Sequence, residues 1–176
     1  MAGNASLVRV AVRYGLLSGL LGFLLCVTSF YLGHHPLLAP AFFDFRILIF
    51  AVVIFFALKE IRDFHNSGML YFWQGMIGGL LITLVYALIA SALLYLFARW
   101  NPTFVEQYIS LSLEQVKNFA PEDIERIGKA TYDQGLEALQ QADAYFLASR
   151  YLGQSFVLSF FVTIIISVIL RAQPKS

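Results

Sequence analysis

LKEIRDFHNSGMLYFWQG, Leu58 to Gly75, crowds Lys59, Glu60, Arg62 and Asp63 between two apolar runs. The run before it, Ile47 to Leu58, is rich in phenylalanine and free of charge, and the run after it starts at Met69. Such a cluster is either a reactive centre or the point where a chain leaves lipid and turns back. The second explanation accounts for the flanks as well as the cluster, and the rest of the chain repeats the pattern.

A helix needs about 20 mostly apolar residues to cross a hydrocarbon layer of about 30 Å. Tyr14 to Leu32 qualifies with no charge, Met69 to Ala98 with only Gln74 strongly polar, and Tyr151 to Leu170 without charge. Ile47 to Leu58 is too short alone. It becomes a crossing when Asp44 and Arg46 sit at one interface and Lys59, Glu60 and Arg62 at the other, the long basic side chains snorkelling to water. Asp44 also suits a helix N-terminus. The expected fold is therefore an all-α integral membrane protein. One membrane domain covers 1–176, with four transmembrane helices at about 14–32, 45–64, 69–98 and 151–170 and a helical extramembrane segment at 101–150. Arg9 and Arg13 ahead of the first span, and Ala39-Pro40-Ala41 after it, faintly imitate a secretory signal. The apolar run exceeds the 7–15 residues of a signal core, so a retained membrane helix is expected.

Composition agrees. Hydrophobic residues make up 59% of the chain and charged residues 13%, about half the charge of a soluble domain. Net charge is +1, which gives no reason to expect nucleic acid. The single cysteine, Cys26, forms neither an internal disulfide nor a cysteine-based metal cage and reads as a small packing residue. With the N-terminus inside, the inner segments carry Arg9, Arg13, Lys59, Arg62, Arg171 and Lys175, and the outer ones Arg46, Arg99, Lys117, Arg126, Lys129 and Arg150. The inner segments are much the shorter, so positive charge is denser there and cytoplasmic termini are expected. Lys59 to Asp63 then forms a cytoplasmic, topology-setting turn and a candidate contact site.

Lipid tails are as apolar as leucine, so membrane helices associate through close packing at small residues. The first span has Gly15, Gly19, Gly22, Cys26, Ser29 and Gly33 at alternating spacings of four and three. The third has Gly75, Gly79, Thr83, Ala87 and Ser91, and the fourth Ser155, Ser159, Thr163 and Ser167, each four apart. Spans one, three and four are expected to pack closely, while the bulky second fills a groove or faces lipid. The hydroxyl row on the fourth span either lines a polar path or bonds back to its own helix. Gly15/Gly19 and Gly75/Gly79 also match a small-xxx-small dimer pattern. "YGLLSGLLGFLL" and "WQGMIGGLLITL" share glycine placement, which makes a duplicated helix pair a further reading.

Residues 101–150 hold eight of the eleven acidic residues, so this segment belongs in water. Asn101-Pro102 ends the third span. Pro102 to Asn118 reads as a helix with Val105, Tyr108, Ile109 and Val116 near one face. A second helix starts at Pro121, followed by Glu122 and Asp123 in its first turn. Gly135 is a candidate break, after which Leu136, Leu139 and Phe146 lead toward the last span. The hairpin either caps the bundle or receives a partner.

Several chemistries have no residues to run them. A charge at mid-membrane costs about 2.5–3.5 kcal/mol, accepted where a pump or carrier uses it, and no Asp, Glu, Lys or Arg lies away from the interfaces. His34 and His35 are adjacent and point apart, and His65 stands alone. There is no phosphate-binding glycine loop, no HExxH and no Ser/His/Asp set at one depth. Neither an enzyme, a metal site nor a cofactor is expected.

Lys59-Glu60-Ile61-Arg62-Asp63, Gly68, and Phe72-Trp73-Gln74-Gly75 opening the third helix, followed by Asn101-Pro102-Thr103-Phe104 and a charged helical stretch before one last span, form a whole-chain order. It resembles the bacterial membrane family called domain of unknown function 4199, found mostly in Bacteroidetes. Lys59, Arg62, Asp63, Gly68, Phe72 and Gln74 occupy the places of its recurring turn. The resemblance covers about Tyr14 to Leu170. It implies four helices in a bacterial inner (cytoplasmic) membrane and carries no activity to transfer. The expected role is that of a non-enzymatic accessory or assembly protein, whose partners are membrane lipid and a second membrane protein or a second copy of the chain. Alternatives are an oligomeric channel or small-solute facilitator using Ser155–Ser167, and a protein that binds anionic lipid headgroups at Lys59 and Arg62.

Overall fold

The computed structural model describes residues 2–40 and 43–172. Lys175 of the C-terminal tail and Ala41 of the signal-like tripeptide lie outside the described residues. Within them the fold is all-α: α1 (Ala2–Tyr31), α2 (Phe45–Glu60), α3 (Phe72–Trp100), α4 (Pro102–Lys117), α5 (Pro121–Ile127), α6 (Lys129–Gln140) and α7 (Ala144–Leu170). A short 3-10 turn, Pro36–Leu38, follows α1, and a π-helical turn, Ile61–His65, follows α2. Outside the helices, Leu70 and Ala172 form an antiparallel bridge that ties the start of α3 to the residues after α7.

Local chemistry sets the helix ends. The Asp44 carboxylate accepts the Arg46 backbone N–H at 2.9 Å and starts α2. Gln74 reaches back to accept the Tyr71 N–H at 3.1 Å, the returning half of a capping box at the start of α3. Asp143 accepts the Phe146 N–H at 2.8 Å and starts α7. Between α2 and α3 the chain reverses through Ser67 and Gly68, at φ 52° and 81°, where glycine is the residue without a steric cost. The Gly68 N–H donates to the Arg62 carbonyl at 2.8 Å and closes the turn.

Three helices are long and apolar enough to cross a membrane: Ser6–Tyr31 within α1, Phe72–Trp100 and Ala144–Leu170. At 16 residues α2 rises about 24 Å, short of a bilayer core. The expected span 45–64 ends its regular helix at Glu60, and the π-helical turn carries the chain onward.

α3 lies between α1 and α7. Gly15 and Gly19 of α1 sit on Val85 and Ile89, so α1 and α3 run parallel. Gly75 and Gly79 of α3 sit on Ser167 and Thr163, so α7 runs antiparallel to α3. α2 runs beside α7 in the same direction, with Arg46 against Tyr151 and Ser155. Its far end meets the start of α1, where Arg13 donates to Glu60 at 2.7 Å. The bulky second helix thus fills the groove and faces outward at once. Phe50, Ile54, Ala57 and Leu58 are fully buried, whereas Leu48, Val52 and Phe56 are exposed.

At the end away from Glu60, α4 folds back and buries Phe104, Tyr108 and Ser112, whereas α5 and α6 bury no residue. One expected boundary is corrected here. Gly135 does not interrupt α6; the break falls at Gly128, whose φ of 89° a side chain rarely adopts. α7 begins at Ala144, where Asp143 supplies the cap, and runs without a break into the expected span 151–170.

Candidate functional site

The turn after α2 lies at the end of the bundle where α1 starts. Lys59 is exposed, and Arg62 donates to Asp63 at 2.7 Å. Glu60 faces the bundle instead, taking hydrogen bonds from Arg13 at 2.7 Å and from the Tyr14 hydroxyl at 3.0 Å. The cluster therefore divides. Glu60 clamps α2 to α1, while Lys59 and Asp63 stay at the surface and line an open cavity of about 440 Å³ with Arg13, Tyr14 and Glu60.

The small-residue ridges meet inside the chain. Every step of four along α3 (Gly75, Gly79, Thr83) is answered by a step of four back along α7 (Ser167, Thr163, Ser159). Ser155, Ser159, Thr163 and Ser167 are all 0% exposed. Thr83 donates to the Gly79 carbonyl at 2.9 Å, its hydroxyl also pairs with that of Ser159, and Ser155 donates to the Tyr151 carbonyl at 2.8 Å. A Cβ on Gly15 would fall 2.6 Å from that of Val85, and one on Gly22 would strike the Tyr86 ring. The hydroxyl row is a packing seam between α3 and α7, and the glycine ridges are occupied within one copy of the chain.

The end of the bundle covered by α4 holds a constellation that sequence reasoning missed. Arg46 does not snorkel to water; it is 3% exposed and turned into the bundle. Its guanidinium donates to Asp44 from Nε at 2.8 Å and also from Nη2. Nη1 lies 3.3 Å from the Tyr151 carbonyl and 3.3 Å from the Ser155 hydroxyl, and Nη2 donates to Gln154 Oε1 at 3.1 Å. The charge also lies 4.6 Å from the Tyr151 ring centroid. The Tyr151 hydroxyl pairs with that of Tyr86 at 2.7 Å. One arginine thus joins α2 to α7, and through Tyr151 to α3. A cavity of about 380 Å³ opens beside it, lined by Asp44, Arg46, Gln115, Arg150 and Gln154 together with leucines and Val157. The available signal was an Asp-x-Arg ahead of an apolar run and Gln154 and Ser155 inside another. The pairing of the two was invisible, because the partners stand 105 to 109 residues apart.

His35 lies close by, outside the helices. Its Nε2 sits 3.1 Å from the Phe104 carbonyl, and since a carbonyl only accepts, Nε2 carries the proton. Burial pushes this imidazole down to about 4. No group of three or more His, Cys, Asp or Glu able to hold a metal occurs among the described residues.

Long helices with outward leucine, isoleucine and phenylalanine, joined by charged turns and packed on small residues, define a multi-pass α-helical membrane protein. The chain matches the family described as Protein of unknown function (DUF4199) over residues 13–172, and it belongs to that family. Neither the curated proteins nor the solved structures gave a match.

Proposed function

We propose that this is a four-span protein of the bacterial inner membrane with cytoplasmic termini, acting without catalysis as an accessory or assembly factor through its outer helical cap. α2 supplies the fourth crossing, since it runs between the same two ends of the bundle as its neighbours and the turn after it lengthens it. The observation that carries the contact role is the cap. α5 and α6 bury nothing of their own, yet Phe119, Ile127, Leu136, Leu139 and Phe146 line a groove of about 360 Å³ between α4, α6 and α7. Leu139 and Phe146 pack partly against the core, whereas Phe119 and Ile127 stay 43% and 47% exposed, more apolar surface than a cap that only sealed the bundle would leave in water. Flux along Ser155 to Ser167 would require α3 and α7 to part, so the channel reading loses its path.

Two measurements test this. Single cysteines at Ser67 and Gln134, with Cys26 replaced, are expected to label from opposite faces of a sealed membrane; labelling from one face rejects the four-span topology. A photo-crosslinking residue at Leu136 is expected to trap a discrete adduct in intact membranes that the exposed Gln134 position does not. A monomer alone from both positions rejects the contact role.

A further inference from the structure

The cavity beside Arg46 has a charge that forms no ion pair among the described residues. Asp44 neutralises Arg46, so the pair adds no net charge. Arg150 also lines the cavity. It lies 5.8 Å from the Tyr108 ring centroid and forms no ion pair among the described residues. The cavity therefore carries one surplus positive charge. Its amides point the same way. Arg46 holds Gln154 by the oxygen, so the Gln154 amide must offer its N–H donors elsewhere. Gln115 lines the same space with no side-chain hydrogen bond of its own among the described residues. Guanidinium and amide donors together suit a phosphate or carboxylate.

The other lining is apolar: Leu37, Leu38, Val157 and Leu158. Val157 is 60% exposed, and Phe161 and Ile165, at 62% and 58%, continue one strip down the outside of α7 at spacings of four. That strip is the face α7 turns toward lipid. A cationic, donor-rich recess at the interfacial end of an apolar strip matches a molecule with an acidic head and an acyl tail. Volume is adequate, since ligand sites begin at about 300 Å³.

We infer that the recess of Arg150, Gln154 and Gln115 above the buried Asp44–Arg46 pair is a binding site for an anionic membrane lipid, with the head at the recess and an acyl chain along Val157, Phe161 and Ile165. The site sits at the capped end of the bundle, opposite the Lys59/Arg62 turn. Arg46 is a positioning residue here: it orients Gln154 and leaves the head to Arg150. The inference rests on the reading that α7 spans the bilayer.

The test uses the full chain in detergent and in nanodiscs. Native mass spectrometry with mixed phosphatidylglycerol and phosphatidylcholine is expected to show the anionic lipid retained about tenfold over the neutral one, the preference a charge-assisted contact produces. Arg150→Gln is expected to bring the two lipids near parity, while Arg150→Lys keeps a preference. The melting temperature of Arg150→Gln in pure phosphatidylcholine reports whether the variant is folded. Retained preference in folded Arg150→Gln, or its loss in Lys59→Gln/Arg62→Gln instead, overturns the assignment. So does inorganic phosphate that displaces the lipid, which would make this a free-anion site. The Ser67 and Gln134 labels are read in the same nanodiscs. Opposite-face labelling without lipid preference rejects this site alone; same-face labelling rejects the spanning reading beneath it.

Discussion

Arg46 shows how much one side chain can commit a helix. A buried ion pair contributes little against an apolar pair of the same shape, but removing one partner strands the other charge at a cost of about 3–5 kcal/mol. Arg46→Met is expected to destabilise the protein by about that amount, because Asp44 is only 7% exposed and would lose its counter-charge. Adding Asp44→Asn keeps a good N-cap and removes the stranded charge, so the double variant is expected to recover much of the loss. Thermal unfolding in detergent measures both, and a double variant no more stable than the single one would contradict the pairing. The N-cap role of Asp44 was legible from sequence, since it depends on residues two positions apart. The inward turn of Arg46 was not. Snorkelling and burial look alike until Tyr151, Gln154 and Ser155 are known to stand opposite.

Helix pairs were read more fully, because a spacing of four names a face without naming its partner. The ridge on α3 and the ridge on α7 were both visible; that they mesh with each other, leaving Gly15, Gly19 and Gly22 to hold α1 on the other side of α3, came from the fold. Gly79→Ala is expected to cost about 1–3 kcal/mol, the usual cost of overpacking, because the new methyl meets Thr163 Cγ2 and Oγ1. Thr163→Ala removes both atoms. The double variant is therefore expected to be more stable than Gly79→Ala alone, a coupling read in a double-mutant cycle by thermal unfolding. Helix breaks were the least legible features. Gly135 and Gly128 look equivalent on paper. A helix interior tolerates glycine at about 1 kcal/mol, so a glycine alone does not mark a break; of the two, Gly128 takes the positive φ.

Across the whole molecule, the cap formed by α4 to α6 is joined to the bundle through a ring cluster at the C-terminal end of α1. Phe30 lies 5.1 Å from Phe104, and His35 lies 4.6 Å from Phe104 and 5.4 Å from Tyr108, centroid to centroid. The His35–Phe104 hydrogen bond is a tie between the α1–α2 connection and α4 that is made by a titratable group. Its sign follows from burial. The folded state holds the imidazole neutral down to about 4, whereas an ordinary histidine takes a proton near 6.5. Between those values the unfolded chain binds more protons, so stability rises with pH there. The contribution is complete above about pH 6.5 and fades as pH falls toward 4. The melting temperature in detergent is expected to drop across that window. His35→Gln, which retains an N–H for the Phe104 carbonyl and does not titrate, is expected to flatten that part of the slope while lowering stability at pH 7 through lost ring packing. An unchanged slope in His35→Gln would move the acid sensitivity to other groups.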